Sequence, residues 1–156
     1  MGIGGAEMNT CDRISCRTSQ MPLIVDFLLP TLPVSHQAKD AAHKRRWRDY
    51  VYGRAMQAWP SGPLVDCPLK FTMVYLAESP KAGDINNFVK PVQDALSTLI
   101  FADDSMVLDV SAHLRRADGS TLIEGLPSLL ALAVLTSSPC VYVAISDSGL
   151  LAEEFK

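Results

Sequence analysis

Between positions 84 and 104 the chain concentrates groups suited to holding a hard metal ion against a phosphate. Asp84, Asn86 and Asn87 are followed by Lys90, then Asp94-Ala95-Leu96, then the acidic pair Asp103-Asp104. Oxygen ligands converging from two segments are what Mg²⁺ requires. A lysine among them adds a fixed positive charge, useful where a phosphodiester is attacked. The pattern therefore points to metal-assisted phosphoryl chemistry. It also sets a geometric condition. A helix of about sixteen residues rises roughly 24 Å, so Asp84 and Asp104 meet only if the chain returns along that helix. The apolar run Met106-Val107-Leu108 can make the return as a strand.

Each piece has a plainer use as well. Asp84, Asn86 and Asn87 suit a helix N-cap, Asp103-Asp104-Ser105 suits a solvated turn, and Lys90 with Asp94 suits an exposed i, i+4 ion pair. Their occurrence together, in this order, favours the site.

The elements that must position these residues follow from apolar periodicity. Leu23–Leu29 reads as a strand closed by Pro30 and Pro33. Residues 37–59 read as a long helix, with Trp47, Val51, Ala55 and Ala58 on its buried side. Residues 69–76 alternate as a strand with Phe71, Met73 and Tyr75 on one face. A second helix over 85–99 faces Val89, Val92, Leu96 and Leu99 inward, with Pro91 tolerated in its opening turns. In a strand over 106–114, alternation places Val107 and Asp109 opposite Leu108, Val110 and Leu114. Pro127 suits the first turn of a helix, and the wholly apolar 129–135 belongs in the core or against a second subunit. A last strand over 140–145 and a polar tail complete the chain. Strands with intervening helices give an α/β (α+β) fold, a two-layer sandwich with a mixed sheet.

The net charge is −3, from 14 basic and 17 acidic residues, so the distribution of charge matters more than its sum. Lys39, Lys44, Arg45, Arg46, Arg48 and Arg54 crowd one helical segment against Asp40 and Asp49, with Trp47 and Tyr50 interleaved. Such a stripe attracts phosphates over about a Debye length even when the total is negative. A solvated helix face is the alternative. The metal-site pattern, which also calls for a polyanion, favours DNA contact. Lys81, Arg115 and Arg116 are further cations that can meet DNA.

The central motif, Asp84-Ile85-Asn86-Asn87 with Lys90, Asp94-Ala95-Leu96 and Asp103-Asp104 before an apolar strand, resembles the RusA family of Holliday junction resolvases. Ser35-His36-Gln37-Ala38-Lys39 with the basic helix after it, and Ser111-Ala112 with Arg115-Arg116, are similar to that family too, so that the resemblance spans roughly residues 21–146. It implies a small homodimeric, Mg²⁺-dependent endonuclease for four-way junctions, acting in recombination and repair and often carried by phages and prophages. Mn²⁺ can substitute. It implies that Asp84, position 86 and Asp104 are the essential acidic positions and Lys90 the essential lysine, with Asp103 assisting the metal. In one respect the chain departs from the family, which carries an aspartate where Asn86 stands. An amide oxygen can coordinate Mg²⁺, but it brings no charge and cannot act as a base. A weakened enzyme, or a junction-binding protein without cleavage, is the alternative that follows.

A chain of 156 residues with 48% hydrophobic composition suits one domain over 21–156. Residues 1–20, rich in Gly, Ser and Thr, are expected to be a disordered tail, with Met21 an alternative start. No apolar run is long enough to cross a membrane, and the first residues lack the pattern of a secretory signal. The cytoplasm of a bacterial or phage-infected cell is the expected location. Cys11, Cys16, Cys67 and Cys140 follow no metal-ligand spacing and are expected as reduced thiols. His36, His43 and His113 show no ligand spacing either.

Overall fold

Four apolar runs pair into one open, mixed sheet: β1 (Leu23–Leu29), β2 (Leu69–Ala77), β3 (Val107–Arg116) and β4 (Cys140–Asp147), in the order β1-β4-β2-β3. The structure is a computed structural model and describes residues 23–60, 62–79 and 81–155; the tail expected over 1–20 lies outside them. β4 is antiparallel to both neighbours, and β2 and β3 are parallel. Parallel neighbours need a crossover, supplied by helix α2 (Asn86–Leu96). Central strands covered on both faces lose the polar half of their alternation, and the first six residues of β4 are all buried.

Helices α1 (Ala41–Ala58) and α2 pack one face of the sheet over a core that includes Phe71, Met73, Tyr75, Val141, Val143 and Ile145. This is the expected two-layer sandwich. Helix α3 (Ser128–Thr136) covers part of the other face, over Val74, Leu76 and Tyr142. It buries Leu130, Ala133 and Val134 and leaves Leu132 and Leu135 exposed. Burial pushes the Tyr142 phenol above its ordinary pKa, helped by the Asp26 carboxylate that accepts its hydroxyl at 3.0 Å.

Several boundaries differ from the sequence reading. Helix α1 starts at Ala41 instead of 37, because the Asp40 carboxylate accepts the His43 N–H at 3.0 Å and caps it. Trp47, Val51 and Ala55 are its buried residues, as the periodicity indicated. Helix α2 stops at Leu96, three residues early. The Leu99 and Ile100 N–H groups both turn back to the Leu96 carbonyl, and Thr98 takes a φ of 70°. That turn lets two successive residues, Ile100 and Phe101, enter the core completely. In β3 the pairing passes from Leu69–Val107 to Lys70–Asp109 and skips Leu108. This bulge resets the alternation, so Val107 packs on the same core as Leu114 instead of opposite it. The polar tail contains a 3₁₀ turn, Leu151–Phe155.

Cys140 is a buried free thiol, whereas Cys67 is disulfide-bonded, contrary to the expected reduced state. Among the described residues no helix is long and apolar enough to cross a membrane.

Candidate active site

A proline inside α2 organises the approach to the site. Pro91 has no N–H, so the Asn87 carbonyl four residues earlier loses its helical donor. The His36 N–H takes that carbonyl at 2.7 Å. On its other side, the His36 carbonyl accepts from Lys44 Nζ at 2.6 Å. The segment after β1 is thereby tied to α1 and α2 at once. Lys44, which the charge pattern assigned to DNA, has this structural contact as well.

Lys90 sits beside Pro91 in α2 and is the centre of the constellation. Its ammonium is 2.9 Å from Asp94 Oδ1 and also donates to Asp104 Oδ2. Both partners hold the Lys90 pKa above its usual value, Asp104 first. The Lys90 hydrogen bond holds the Asp104 carboxyl below the usual range, with a smaller contribution from Asp103. Both groups therefore stay charged at neutral pH. The sequence requires the chain to come back along the helix if Asp84 and Asp104 are to meet; the return brings Asp104 to Lys90, while Asp84 pairs with Asn86. The turn over residues 97–101 makes the return, and Asp104 opens a 3₁₀ turn (Asp104–Met106) before β3 begins. An eleven-residue α2, rising about 16 Å, leaves a shorter distance to retrace than the sixteen-residue helix expected.

Asp84 stands just ahead of α2. Its Oδ1 accepts from both the backbone N–H and the side-chain Nδ2 of Asn86, each at 3.0 Å. This is local turn chemistry of the kind expected of Asp before a helix. It also fixes the Asn86 amide so that nitrogen faces Asp84 and the carbonyl oxygen is the atom left for another partner. Asp103 Oδ1 accepts the Ser105 N–H at 2.8 Å and caps the 3₁₀ turn.

Asp84, Asn86, Asp103 and Asp104 are all oxygen donors, the set a hard divalent cation takes. By type they fit. By position they do not yet converge: among the described residues no three Asp, Glu, His or Cys side chains form a group able to hold one ion. Lys90 stands where a cation would neutralise Asp104, and Asn86 engages one oxygen of Asp84. An ion held by Asp104 would take the place that the Lys90 ammonium occupies.

The cations expected to meet DNA divide in space. Lys44, Arg45 and Arg48 line a cleft between α1 and α2, together with Pro91 and Asp94. Arg54 instead donates to the Leu28 carbonyl at 3.1 Å and serves β1. Arg115 lines a groove on the sheet face under α3, and Arg116 lies 3.4 Å from Asp118. Both end β3, a ten-residue strand spanning roughly 30 Å, so they lie far along the sheet from Asp104. Lys39 and Lys81 are exposed in loops, and Arg46 is exposed on α1.

Asp94, the exposed i, i+4 partner that the spacing indicates, shares the Lys90 ammonium with Asp104. The tie between His36 and Asn87 was signalled only by the proline.

The profile of the endodeoxyribonuclease RusA family matches residues 33–124, more than half of the chain and the whole of the span from His36 to Asp104. No curated protein matches.

Proposed function

We propose that this chain, which belongs to the RusA family of endodeoxyribonucleases, cuts four-way DNA junctions with Mg²⁺ in recombination and repair, in the cytoplasm of a bacterial or phage-infected cell. The family's members are Holliday junction endonucleases that depend on divalent metal. The observation that carries the reading for this chain is Lys90, held by Asp94 and Asp104 in the middle of α2 and within the matched span. Asp84 and Asp104, with Asp103 and the Asn86 carbonyl oxygen, are the groups that would hold the ion. When bound, it lowers the pKa of a water and stabilises charge on the phosphoryl oxygens. Lys90 would supply a positive charge to the phosphoryl oxygens or to the leaving oxygen. Asp94 keeps it there. Mn²⁺ serves in place of Mg²⁺.

Asn86 supports a second reading, junction binding with weak or no cleavage. Its amide spends a donor on Asp84, where an aspartate would add a second anion. We expect Asn86→Asp to tighten Mg²⁺ binding by about tenfold, one added charge in the first shell, and to raise cleavage at low Mg²⁺. Junction affinity in Ca²⁺ should stay the same, and the metal-free protein should melt slightly earlier from like-charge crowding. Calorimetric metal titration and melting curves check this. An unchanged metal affinity would put Asn86 outside the coordination sphere.

A homodimer accompanies this reading, because a two-fold pair of sites matches a symmetric junction. Leu132 and Leu135 on α3 are 56% and 66% exposed, on a helix that buries Leu130, Ala133 and Val134. A second copy covering them would remove apolar surface from water. Leu132→Glu with Leu135→Glu should sediment as a monomer where the parent chain sediments as a dimer.

A further inference from the structure

The cleft between α1 and α2 has a volume of about 330 Å³, at the lower end for small-ligand sites. Lys44, Arg45 and Arg48 form one wall, and Pro91 and Asp94 form the other. The spacing 44, 45, 48 puts the three cations on one face of α1. Among the described residues, Arg45 and Arg48 make no hydrogen bond or ion pair, whereas Asp94, the one acid lining the cleft, is already paired with Lys90 at 2.9 Å. The ligand that balances this site is an anion. Yet the cleft also presents apolar surface from Pro91 and from Trp47, which is 4% exposed. The buried Trp47 indole N–H has no acceptor, and an unpaired buried donor of this kind calls for an explanation. A phosphate alone would leave the apolar surface unused, and a stacked base pair is too large to enter.

We propose that this cleft holds one unstacked nucleotide of the branched DNA, its phosphate against Arg45 and Arg48 and its base against Pro91 and the edge of Trp47. The inference rests on the reading of the chain as a branched-DNA enzyme and goes beyond it by naming where the branch is recognised. Asp94, shared between the cleft wall and Lys90, sets this nucleotide next to the cleavage site. Extruding a base from paired duplex costs a few kcal/mol, and least where pairing is already broken. The cleft would therefore select branched over linear DNA without reading sequence.

The test compares a duplex carrying a single unpaired 2-aminopurine with the same duplex fully paired, in Ca²⁺ so that binding is read without cleavage. The bulged duplex should bind about tenfold tighter, the scale of one base–side-chain contact, with a change in 2-aminopurine emission. Ala41, exposed at the start of α1 and lining the cleft, is the residue through which to fill it. Ala41→Phe should erase the preference and the emission change and leave paired-duplex affinity as it was, with Ala41→Leu giving an intermediate result if the larger variant melts early. Equal affinity of the parent chain for both duplexes, or a preference that survives in Ala41→Phe, overturns the proposal. Binding of neither duplex sinks the DNA reading itself, and the subsite with it.

Discussion

Lys90→Met should lower junction cleavage at least a hundredfold and leave the melting temperature nearly unchanged. Its two ion pairs, with Asp94 and Asp104, join side chains that are each more than 40% exposed, and exposed pairs contribute about 0–1 kcal/mol to folding. Removing a fixed charge aimed at a developing oxyanion costs about 10²–10³ in rate. Stability and activity are therefore expected to separate. A third readout sharpens the test. Methionine cannot compete for the Asp104 carboxylate, so the variant should bind Mn²⁺ at least as tightly as the parent chain while failing to cleave. A large drop in melting temperature would make Lys90 a structural residue. A loss of metal affinity would mean that it assembles the carboxylates instead of competing with the ion.

Phe101→Ala should have the largest effect on stability, about 3–5 kcal/mol by analogy with other buried aromatics reduced to alanine. Phe101 is fully buried, its carbonyl accepts the Thr98 N–H at 2.7 Å, and it bridges Val65. It closes the turn that carries the chain from the end of α2 back toward Lys90. Loss of its packing should loosen Asp104 before it unfolds the sheet. Chemical denaturation measures the first effect. The second appears as reduced cleavage at temperatures where the protein is still folded. A cost below about 1 kcal/mol would show that the turn does not depend on Phe101.

These two residues mark what was legible in the sequence and what was not. Lys90 and its acidic neighbours were readable because their chemistry is written in residue type and order. β1 was readable to the residue, since Pro30 ends it, and the buried face of α1 followed from Trp47, Val51 and Ala55. Phe101 was missed. Leu99 continues the helical period of Val92 and Leu96, and only the competing demand of Ile100 and Phe101 for the core ends the helix at Leu96. The Leu108 bulge is hidden for a similar reason, because local alternation does not reveal pairing with β2. The start of α1 is not fixed by the sequence, because Asp40 reads equally as a helical acid and as a cap. The arrangement of the carboxylates was beyond reach as well. Asp84, Asp103 and Asp104 name an oxygen site, but whether they converge depends on Lys90 and Asn86, whose hydrogen bonds engage two of them.

Incubating the purified protein with a synthetic four-way junction, in Mg²⁺ and in EDTA, tests the central claim most directly. Paired, symmetrically placed nicks near the crossover should appear in Mg²⁺ and vanish in EDTA, with a retarded junction band in both. A retarded band with no nicks at any concentration of Mg²⁺ or Mn²⁺ would contradict cleavage and leave this chain a junction-binding protein on a nuclease fold.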